Sequence, residues 1–176
     1  MKRLFLLRHA KAVPAESGVE DFDRTLMFSG MQDAGAMARY LRKRDYVLGL
    51  ILCSSAARTA QTGELVVQQL ECEIEFRDAL YLAEPAKILA AIRGAPAAVS
   101  ALMVVGHNPS ITEFLAKMIA KSGCEALLDF KKGAVARVEA ERRAATLSWF
   151  ITPKMAREIQ ASAASAAKSH PKTSRK

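Results

Sequence analysis

The sequence predicts an α/β fold: a three-layer αβα sandwich whose sheet is mostly parallel, with an antiparallel C-terminal hairpin. Short apolar segments typical of buried strands alternate with longer segments in which apolar residues recur at helical spacing. The last two predicted strands follow one another with only a charged turn between them, which indicates a hairpin. The chain of 176 residues, 51% of them hydrophobic, is large enough for one domain with a substantial core.

The first predicted strand covers residues 4–7, and Arg8 and His9 follow it immediately. In open α/β sheets, ligands bind just beyond the carboxyl ends of the strands. Residues 11–25 are mostly polar and predict a long loop, and loops of this length in compact domains are often functional. The first strand and its loop are therefore the first place to look for a site.

Capping signals predict where the helices begin. Ser29 and Gln32 have the spacing of a capping box, so we expect Ser29 to cap a helix that ends near residue 43. Ser54 and Ser55 are expected to cap the next helix, and Pro85 is expected at the first position of a third. The alternation then continues as strand 49–53, helix 56–70, strand 73–76, helix 85–93, strand 101–105 and helix 109–121.

The C-terminal part changes character. Residues 134–140 and 146–151 predict the two strands of the hairpin, with a charged turn around Arg142 and Arg143. We expect the domain to comprise residues 1–153, and residues 154–176 to form a short helix over 154–160 and then a disordered basic tail. This tail segment carries +5 of the net charge of +8, so no nucleic-acid-binding face is expected on the domain.

The composition favours a cytoplasmic protein. No apolar run approaches the ~20 residues that a membrane span needs. The apolar run at residues 4–7 is too short for an export signal. The three cysteines, Cys53, Cys72 and Cys124, form no C-x-x-C motif and are expected to be free thiols.

Two histidines stand at predicted strand ends. His9 and His107 each follow an apolar strand directly, whereas His170 lies in the tail and is set aside. Arg58 lies in the first turn of a helix, where a cation is disfavoured unless an anion shares the site with the free backbone N–H groups. Together with Arg8, these residues predict an oxyanion pocket with a candidate nucleophile. Zinc is a poor alternative, because no cysteine or carboxylate accompanies the histidines at ligand spacing.

Five short motifs, in order along residues 2–153, resemble the histidine phosphatase (phosphoglycerate-mutase-like) superfamily, and most of all its small SixA-type branch of phosphohistidine phosphatases. They are Arg8-His9-Ala10-Lys11-Ala12, Arg24-x-Leu26 followed by Gly30, Ser54-x-x-x-Arg58-Thr59-x-Gln61-Thr62, Leu80-Tyr81, and Val105-Gly106-His107-Asn108-Pro109. Each motif is weak alone, and their order makes the signal strong. Thr25 and Ser55 depart from the family, which usually has proline at these positions.

The resemblance implies a mechanism that agrees with the reading from the residues. His9 would attack phosphorus in line and carry the phosphoryl group as a phosphohistidine that water hydrolyses. Arg8, Arg58 and His107 would bind the phosphoryl oxygens by charge and hydrogen bonds. No cofactor and no metal is expected, because the guanidinium groups would supply the positive charge.

The general acid is the open point. Glu84 is the one carboxylate just beyond Leu80-Tyr81, and it is either an acid for the leaving group or the N-cap of the next helix. The SixA-type branch, as the resemblance has it, lacks the acid that larger members use. Imidazole leaves more easily than an alkoxide, so the missing acid favours a phosphohistidine substrate over a sugar phosphate.

Three functions are therefore kept. The first is a phosphohistidine phosphatase acting on a phosphorylated protein, and the second is a phosphatase of small phosphomonoesters. The third is a non-catalytic module that binds a phosphoprotein, or whose basic tail binds nucleic acid or an anionic membrane. Intact Arg8, His9, Arg58 and His107 favour the enzymes. We expect tail binding to weaken steeply with salt.

Overall fold

One six-stranded sheet runs through the middle of the protein. The computed structural model describes residues 2–120, 128–141 and 145–169. The strands are β1 (Lys2–Arg8), β2 (Leu50–Ser54), β3 (Glu73–Arg77), β4 (Ala101–Gly106), β5 (Val135–Ala140) and β6 (Ala145–Ile151). Their spatial order is β3-β2-β4-β1-β5-β6. The first four pair in parallel, and β5 and β6 are antiparallel, so the predicted mixed sheet is confirmed.

Helices cover both faces of this sheet. They are α1 (Phe28–Lys43), α2 (Ala57–Leu70), α3 (Pro85–Arg93), α4 (Ser110–Ile119) and α5 (Pro153–Ser169). Alternate residues of β1 divide between the two cores. Leu4 and Leu6 pack with residues of α3 and α4, whereas Phe5 and Leu7 pack with residues of α1, α2 and α5. The three-layer αβα prediction is therefore confirmed.

The register of β1 and β4 brings the two histidines together. Arg8 pairs with Gly106 in this parallel ladder, so His9 and His107 are the next residue on each strand. Because parallel strands end at the same edge of the sheet, two side chains almost one hundred residues apart leave the sheet side by side. The edge that carries both is the carboxyl edge.

Two predicted serine caps are wrong. Helix α1 begins at Phe28, with Met27 at the N-cap, because the Met27 amide donates to the Lys11 carbonyl at 2.9 Å and fixes the start of the helix. Ser29 therefore lies inside the first turn. Helix α2 begins at Ala57, and its N-cap Ala56 makes no side-chain bond to the helix. The Ser54 and Ser55 hydroxyls bond other partners instead, His107 and Asp78.

The C-terminal helix is longer than predicted. It extends from Pro153 to Ser169, beyond the predicted end at residue 160, so the predicted disorder is wrong for residues 161–169. Alanine has the highest helix propensity, and residues 161–169 contain no glycine or proline. The helix also packs on α1, where Ala156 is buried, Arg157 pairs with Asp33, and Gln160 Nε2 donates to the Ala36 carbonyl at 2.9 Å.

Several predictions concern residues outside those described. They are the turn at Arg142 and Arg143, the thiol of Cys124, and disorder beyond residue 169. Cys53 and Cys72 are free, as predicted. Within the described ranges, no helix combines the length and the apolar character that crossing a membrane requires.

Gly30 allows the segment after His9 to lie against α1. A Cβ atom at this position would stand 2.0 Å from the Lys11 carbonyl oxygen and 2.9 Å from the Lys11 nitrogen. A Cβ atom added at Gly35, in the same helix, would meet only the flexible end of the Arg39 side chain, 3.2 Å away. The two glycines thus provide a matched pair for testing this close approach.

We expect Gly30→Ala to lower the free energy of unfolding by at least about 2 kcal/mol, because backbone must move to admit the methyl group. Gly35→Ala should raise it by up to about 1 kcal/mol through helix propensity. Urea unfolding of the two variants and the unsubstituted protein measures both effects. Equal effects of the two substitutions would contradict the close approach at Gly30.

Candidate active site

A cavity of about 340 Å³ lies at the carboxyl edge of the sheet, and we call it the histidine pocket. It is lined by Arg8, His9, Ala12, Asp21, Arg24, Arg58, Leu82, His107, Asn108 and Lys132. The structure thus brings together four of the five predicted site residues, Arg8, His9, Arg58 and His107. Glu84 is not among the lining residues, although it occupies the N-cap position of α3 without a side-chain cap bond.

The backbone around His9 is fixed from two sides. The His9 amide donates to the Gly106 carbonyl at 3.0 Å, which ties it to the end of β4. On the other side, the Gly133 amide lies 3.1 Å from the carbonyl oxygens of Arg8 and His9. Gly133 has a φ of 74°, a left-handed conformation that glycine adopts without strain. The exit of β1 is therefore rigidly placed.

One hydrogen bond selects the tautomer of His9. Its Nδ1 lies 2.8 Å from the Ala10 carbonyl oxygen. A carbonyl oxygen can only accept, so Nδ1 carries the hydrogen and Nε2 keeps its lone pair. The Ala10 amide in turn donates to Thr62 Oγ1 at 3.1 Å, which joins this segment to α2. His9 therefore presents a nucleophilic nitrogen, Nε2, in a fixed orientation.

Both pocket histidines are neutral near pH 7. Burial lowers the pKa of His9 to about 4, and the positive charges of Arg58 and Arg8 act in the same direction. Burial also lowers the pKa of His107 to about 3, with further contributions from His9 and Arg58. A neutral imidazole is the form of His9 that can attack an electrophile.

His107 faces His9 and is held by β2. The centroids of the two imidazole rings are 5.2 Å apart. Nε2 of His107 lies 2.9 Å from Ser54 Oγ, at the end of β2. When the Ser54 hydroxyl donates to Nε2, the neutral ring carries its hydrogen on Nδ1, and Nδ1 has no protein partner. His107 then offers one unused donor.

The two predicted arginines are only partly paired. Arg58 is 2% exposed, and its two terminal nitrogens donate to the main-chain and side-chain oxygens of Asp21. A terminal nitrogen of Arg8 donates to the Phe130 carbonyl at 2.7 Å. In both arginines Nε is buried without an acceptor. Each guanidinium therefore retains hydrogen-bonding capacity that the protein does not use.

Unpaired polar atoms concentrate in the histidine pocket. Across the described part of the chain, six buried side-chain nitrogen or oxygen atoms lack a partner. Four of these belong to residues that line the histidine pocket: Arg8 Nε, Arg58 Nε, His107 Nδ1 and Asn108 Oδ1. Leaving such a group unpaired costs roughly 1–3 kcal/mol, so the cluster indicates a bound group that supplies acceptors for the nitrogens and a donor for Asn108 Oδ1.

Sequence reasoning missed Asp21 and Lys132 altogether, and it gave no role to Arg24, Tyr81 or Asn108. Arg24, Tyr81 and Asn108 belong to the motifs quoted above, so the sequence marked their positions but did not predict their contacts. Asp21 lies in a short 3-10 helix, Asp21–Asp23, within the long loop. Nothing in the sequence distinguishes it from the neighbouring acidic residues of that loop, because its partners come from distant segments.

A larger cavity, of about 580 Å³, lies between α1 and α5. It is lined by Lys11, Ser29, Gln32, Asp33, Ala36, Arg39 and Arg157. Its lining contains no histidine, and its Arg157 is already paired with Asp33. Size therefore does not identify the site, whereas the chemistry of the histidine pocket does. In the described residues, no group of three or more histidine, cysteine or carboxylate side chains is placed to hold a metal ion.

Comparisons with known proteins agree with this geometry. A sequence profile described as the histidine phosphatase superfamily (branch 1) matches residues 4–81. An uncharacterised protein of Mycobacterium tuberculosis is 31% identical over 120 residues, which are 68% of this chain and 74% of that protein.

Two solved SixA structures, both of proposed phosphohistidine phosphatases, are similar throughout. The one from Agrobacterium tumefaciens has a TM-score of 0.78 and 35% identity, and the match covers 86% of this chain and 98% of that chain. The one from Nakamurella multipartitia has a TM-score of 0.76 and 30% identity, with 86% and 96% covered.

NMR titration of the imidazole resonances should show His9 and His107 neutral from pH 8 down to about pH 5, since burial lowers both pKa values. In urea, the same resonances should titrate near the usual value of about 6.5. Because the unfolded state takes up protons first, stability should fall as the pH drops below about 6.5. Titration of either residue between pH 6 and 7 in the folded protein would contradict the burial argument.

Proposed function

The chain belongs to the histidine phosphatase superfamily, in its SixA-type branch, and we propose that this phosphatase removes the phosphoryl group from phosphohistidine carried by another protein. Two parts of this statement go beyond family membership: the phosphohistidine substrate and the roles of the individual pocket residues. The physical support for each comes from the histidine pocket.

One observation carries the proposal. A neutral His9 with a free Nε2 is surrounded by buried donors that lack acceptors, on Arg8, Arg58 and His107. A phosphoryl group offers several oxygen acceptors around one electrophilic atom. It therefore satisfies these donors and meets the nucleophile in a single binding event.

The reaction proceeds in two displacements. His9 Nε2 attacks phosphorus and the bond from phosphorus to the substrate nitrogen breaks. The substrate ring, protonated on its other nitrogen, takes the electron pair and leaves as neutral imidazole. Arg8, Arg58 and His107 bind the phosphoryl oxygens while their charge is redistributed. Water then attacks the phosphohistidine at His9, which releases inorganic phosphate and restores the neutral imidazole. The protein's own cations supply the charge stabilisation in both steps.

Among the described residues, the histidine pocket has no carboxylic acid that can protonate a poor leaving group. Of the described residues that line it, Asp21 is the one carboxylate. The Tyr81 hydroxyl, together with Arg24 and Arg58, holds the pKa of the Asp21 carboxyl well below its usual range, so Asp21 has no proton to donate. Glu84 lies outside the pocket lining. An imidazole leaving group needs the least help from an acid, which favours phosphohistidine over an alkyl phosphate.

Phosphatase action on small phosphomonoesters remains the second candidate, because every donor in the pocket would bind an ester phosphate equally well. A protein that binds a phosphoprotein without turnover is the third. The protein partner, the cytoplasmic location and the independence from metal and cofactor all stay predictions.

Turnover of a phosphohistidine-bearing protein and of phosphoserine, an alkyl phosphate, should be compared in the presence of EDTA. We expect kcat/KM to be at least about a hundredfold higher for the phosphohistidine protein, since no protonated carboxyl group among the described lining residues can assist an alkoxide leaving group. His9→Ala should lower turnover by about 10⁴-fold or more, because the nucleophile is lost. The matched control Glu84→Gln should stay within about twofold on both substrates, as Glu84 lies outside the pocket lining.

The outcomes separate the candidates. Faster turnover of phosphoserine, with a large loss in Glu84→Gln, would favour the phosphomonoesterase and a general acid at Glu84. Binding of the phosphoprotein without release of phosphate would favour the binding module. Normal turnover by His9→Ala would exclude His9 as the nucleophile.

A further inference from the structure

Asp21 is the one acidic residue among the described residues that line the histidine pocket, where it lies with four cationic side chains. The histidine pocket contains Arg8, Arg24, Arg58 and Lys132, all of which suit an anionic substrate. A carboxylate in such a pocket repels a phosphoryl group and weakens its binding. The Asp21 side chain is nevertheless 43% exposed and lines the cavity. Its presence therefore requires a physical explanation other than binding the substrate.

The contacts of Asp21 supply that explanation. Its Oδ2 accepts from Arg58 at 2.9 Å and from the Tyr81 hydroxyl at 2.7 Å. Its Oδ1 accepts from Arg24, at 3.0 Å from Nε and also from a terminal nitrogen. Its main-chain carbonyl accepts from the second terminal nitrogen of Arg58. One residue of the loop thus joins α2, the segment after β3 and the loop itself.

These bonds fix the guanidinium plane of Arg58. Asp21 holds both terminal nitrogens of Arg58, one through each type of oxygen. These two bonds and the covalent link of Nε to the side-chain stem give three points, which determine the plane of the guanidinium group. The Nε–H of Arg58 remains without a protein acceptor. Tyr81 fixes Asp21 in turn, and the Tyr81 ring packs edge-on against Phe22 and His107, with centroids 5.0 Å and 5.6 Å away.

Direct chemistry by Asp21 does not fit the same contacts. A carboxylate offers about four acceptor positions, and four donors from Arg24, Arg58 and Tyr81 already occupy them. No position is left for a substrate N–H or for an attacking water. The contribution of Asp21 to the reaction must therefore pass through the residues that it holds.

We propose that Asp21 is a positioning residue: it orients the Arg58 guanidinium for the transferring phosphoryl group, and its cost is weaker binding of free phosphate. The inference rests on the proposed function, since it takes the phosphoryl group as the ligand of the pocket. It adds a residue to which neither the motifs nor the comparisons give a role.

The proposal predicts opposite effects on turnover and on phosphate binding. Asp21→Asn removes the negative charge and one of the two carboxylate oxygens that accept from Arg24, Arg58 and Tyr81, while the main-chain carbonyl that binds Arg58 stays. We therefore expect kcat to fall by about ten- to a hundredfold through misplaced donors. The net positive charge of the pocket rises at the same time. Inorganic phosphate should therefore bind with unchanged or higher affinity, up to about tenfold, as a competitive inhibitor. Loss of structure alone would weaken both properties together.

Conservative variants sharpen the test. Asp21→Glu keeps the charge and should recover part of the lost kcat. Tyr81→Phe removes the hydroxyl that holds Asp21 but keeps the charges of Asp21 and Arg58. We therefore expect kcat to fall by less than in Asp21→Asn, and phosphate affinity to stay unchanged. Asp23→Asn is the matched control, because it removes one charge from an exposed residue of the same short helix. It should leave kcat and phosphate affinity within about twofold of the unsubstituted protein.

The experiment measures kcat on the phosphohistidine protein and on p-nitrophenyl phosphate, and the inhibition constant of inorganic phosphate. A further readout needs no turnover: the ¹⁵N NMR signal of Arg58 Nε–H, assigned with Arg58→Lys. It should be sharp in the unsubstituted protein, where Asp21 fixes the guanidinium plane, and broadened in Asp21→Asn.

The results separate this inference from the proposed function. An unsubstituted protein that turns over neither substrate contradicts the proposed function, and the NMR signal then tests Asp21 alone. A kcat within twofold of the unsubstituted value in Asp21→Asn, or an unchanged Arg58 signal, overturns the positioning role. A parallel loss of kcat and phosphate affinity in Asp21→Asn overturns it too, because that pattern belongs to structural damage.

Discussion

The burial of the Arg58 guanidinium at the carboxyl edge of the sheet is the constraint on which the site depends. A permanently charged group that is 2% exposed is stable only when hydrogen-bonded acceptors surround it. Asp21 supplies acceptors for the two terminal nitrogens, and nothing in the described structure supplies one for Nε. The fold thus leaves a specific part of this cation for a ligand oxygen.

The same burial determines the state of the nucleophile. Cations beside His9 and removal from water both favour the neutral imidazole, and the Ala10 carbonyl decides which nitrogen carries the hydrogen. The arginines that bind the phosphoryl oxygens therefore also keep His9 in its reactive form. Binding of the phosphoryl oxygens and control of the protonation state of His9 therefore both follow from one arrangement of charge and burial.

How well each part of the structure could be predicted depends on how far apart in the sequence its interacting residues lie. The spacing of apolar residues and the length of each apolar segment predicted all six strands and the αβα layers, because the pattern of a strand lies within a few consecutive residues. Adjacent strand ends were enough to place His9 beside His107. The predicted serine caps were wrong for two reasons. Ser54 bonds a histidine more than fifty residues away instead of capping α2, and a bond to the Lys11 carbonyl fixes the start of α1. Asp21 was missed for the same reason, because its meaning lies in contacts with α2 and Tyr81.

A crystal structure of the protein soaked with vanadate tests the central claim most directly. The account predicts vanadium bonded to His9 Nε2, with its equatorial oxygens within about 3 Å of nitrogens of Arg8, Arg58 and His107. Vanadate bound in the larger cavity between α1 and α5 would contradict the account. So would vanadate in the histidine pocket that leaves His9 Nε2 unbonded and the Arg58 Nε without an acceptor.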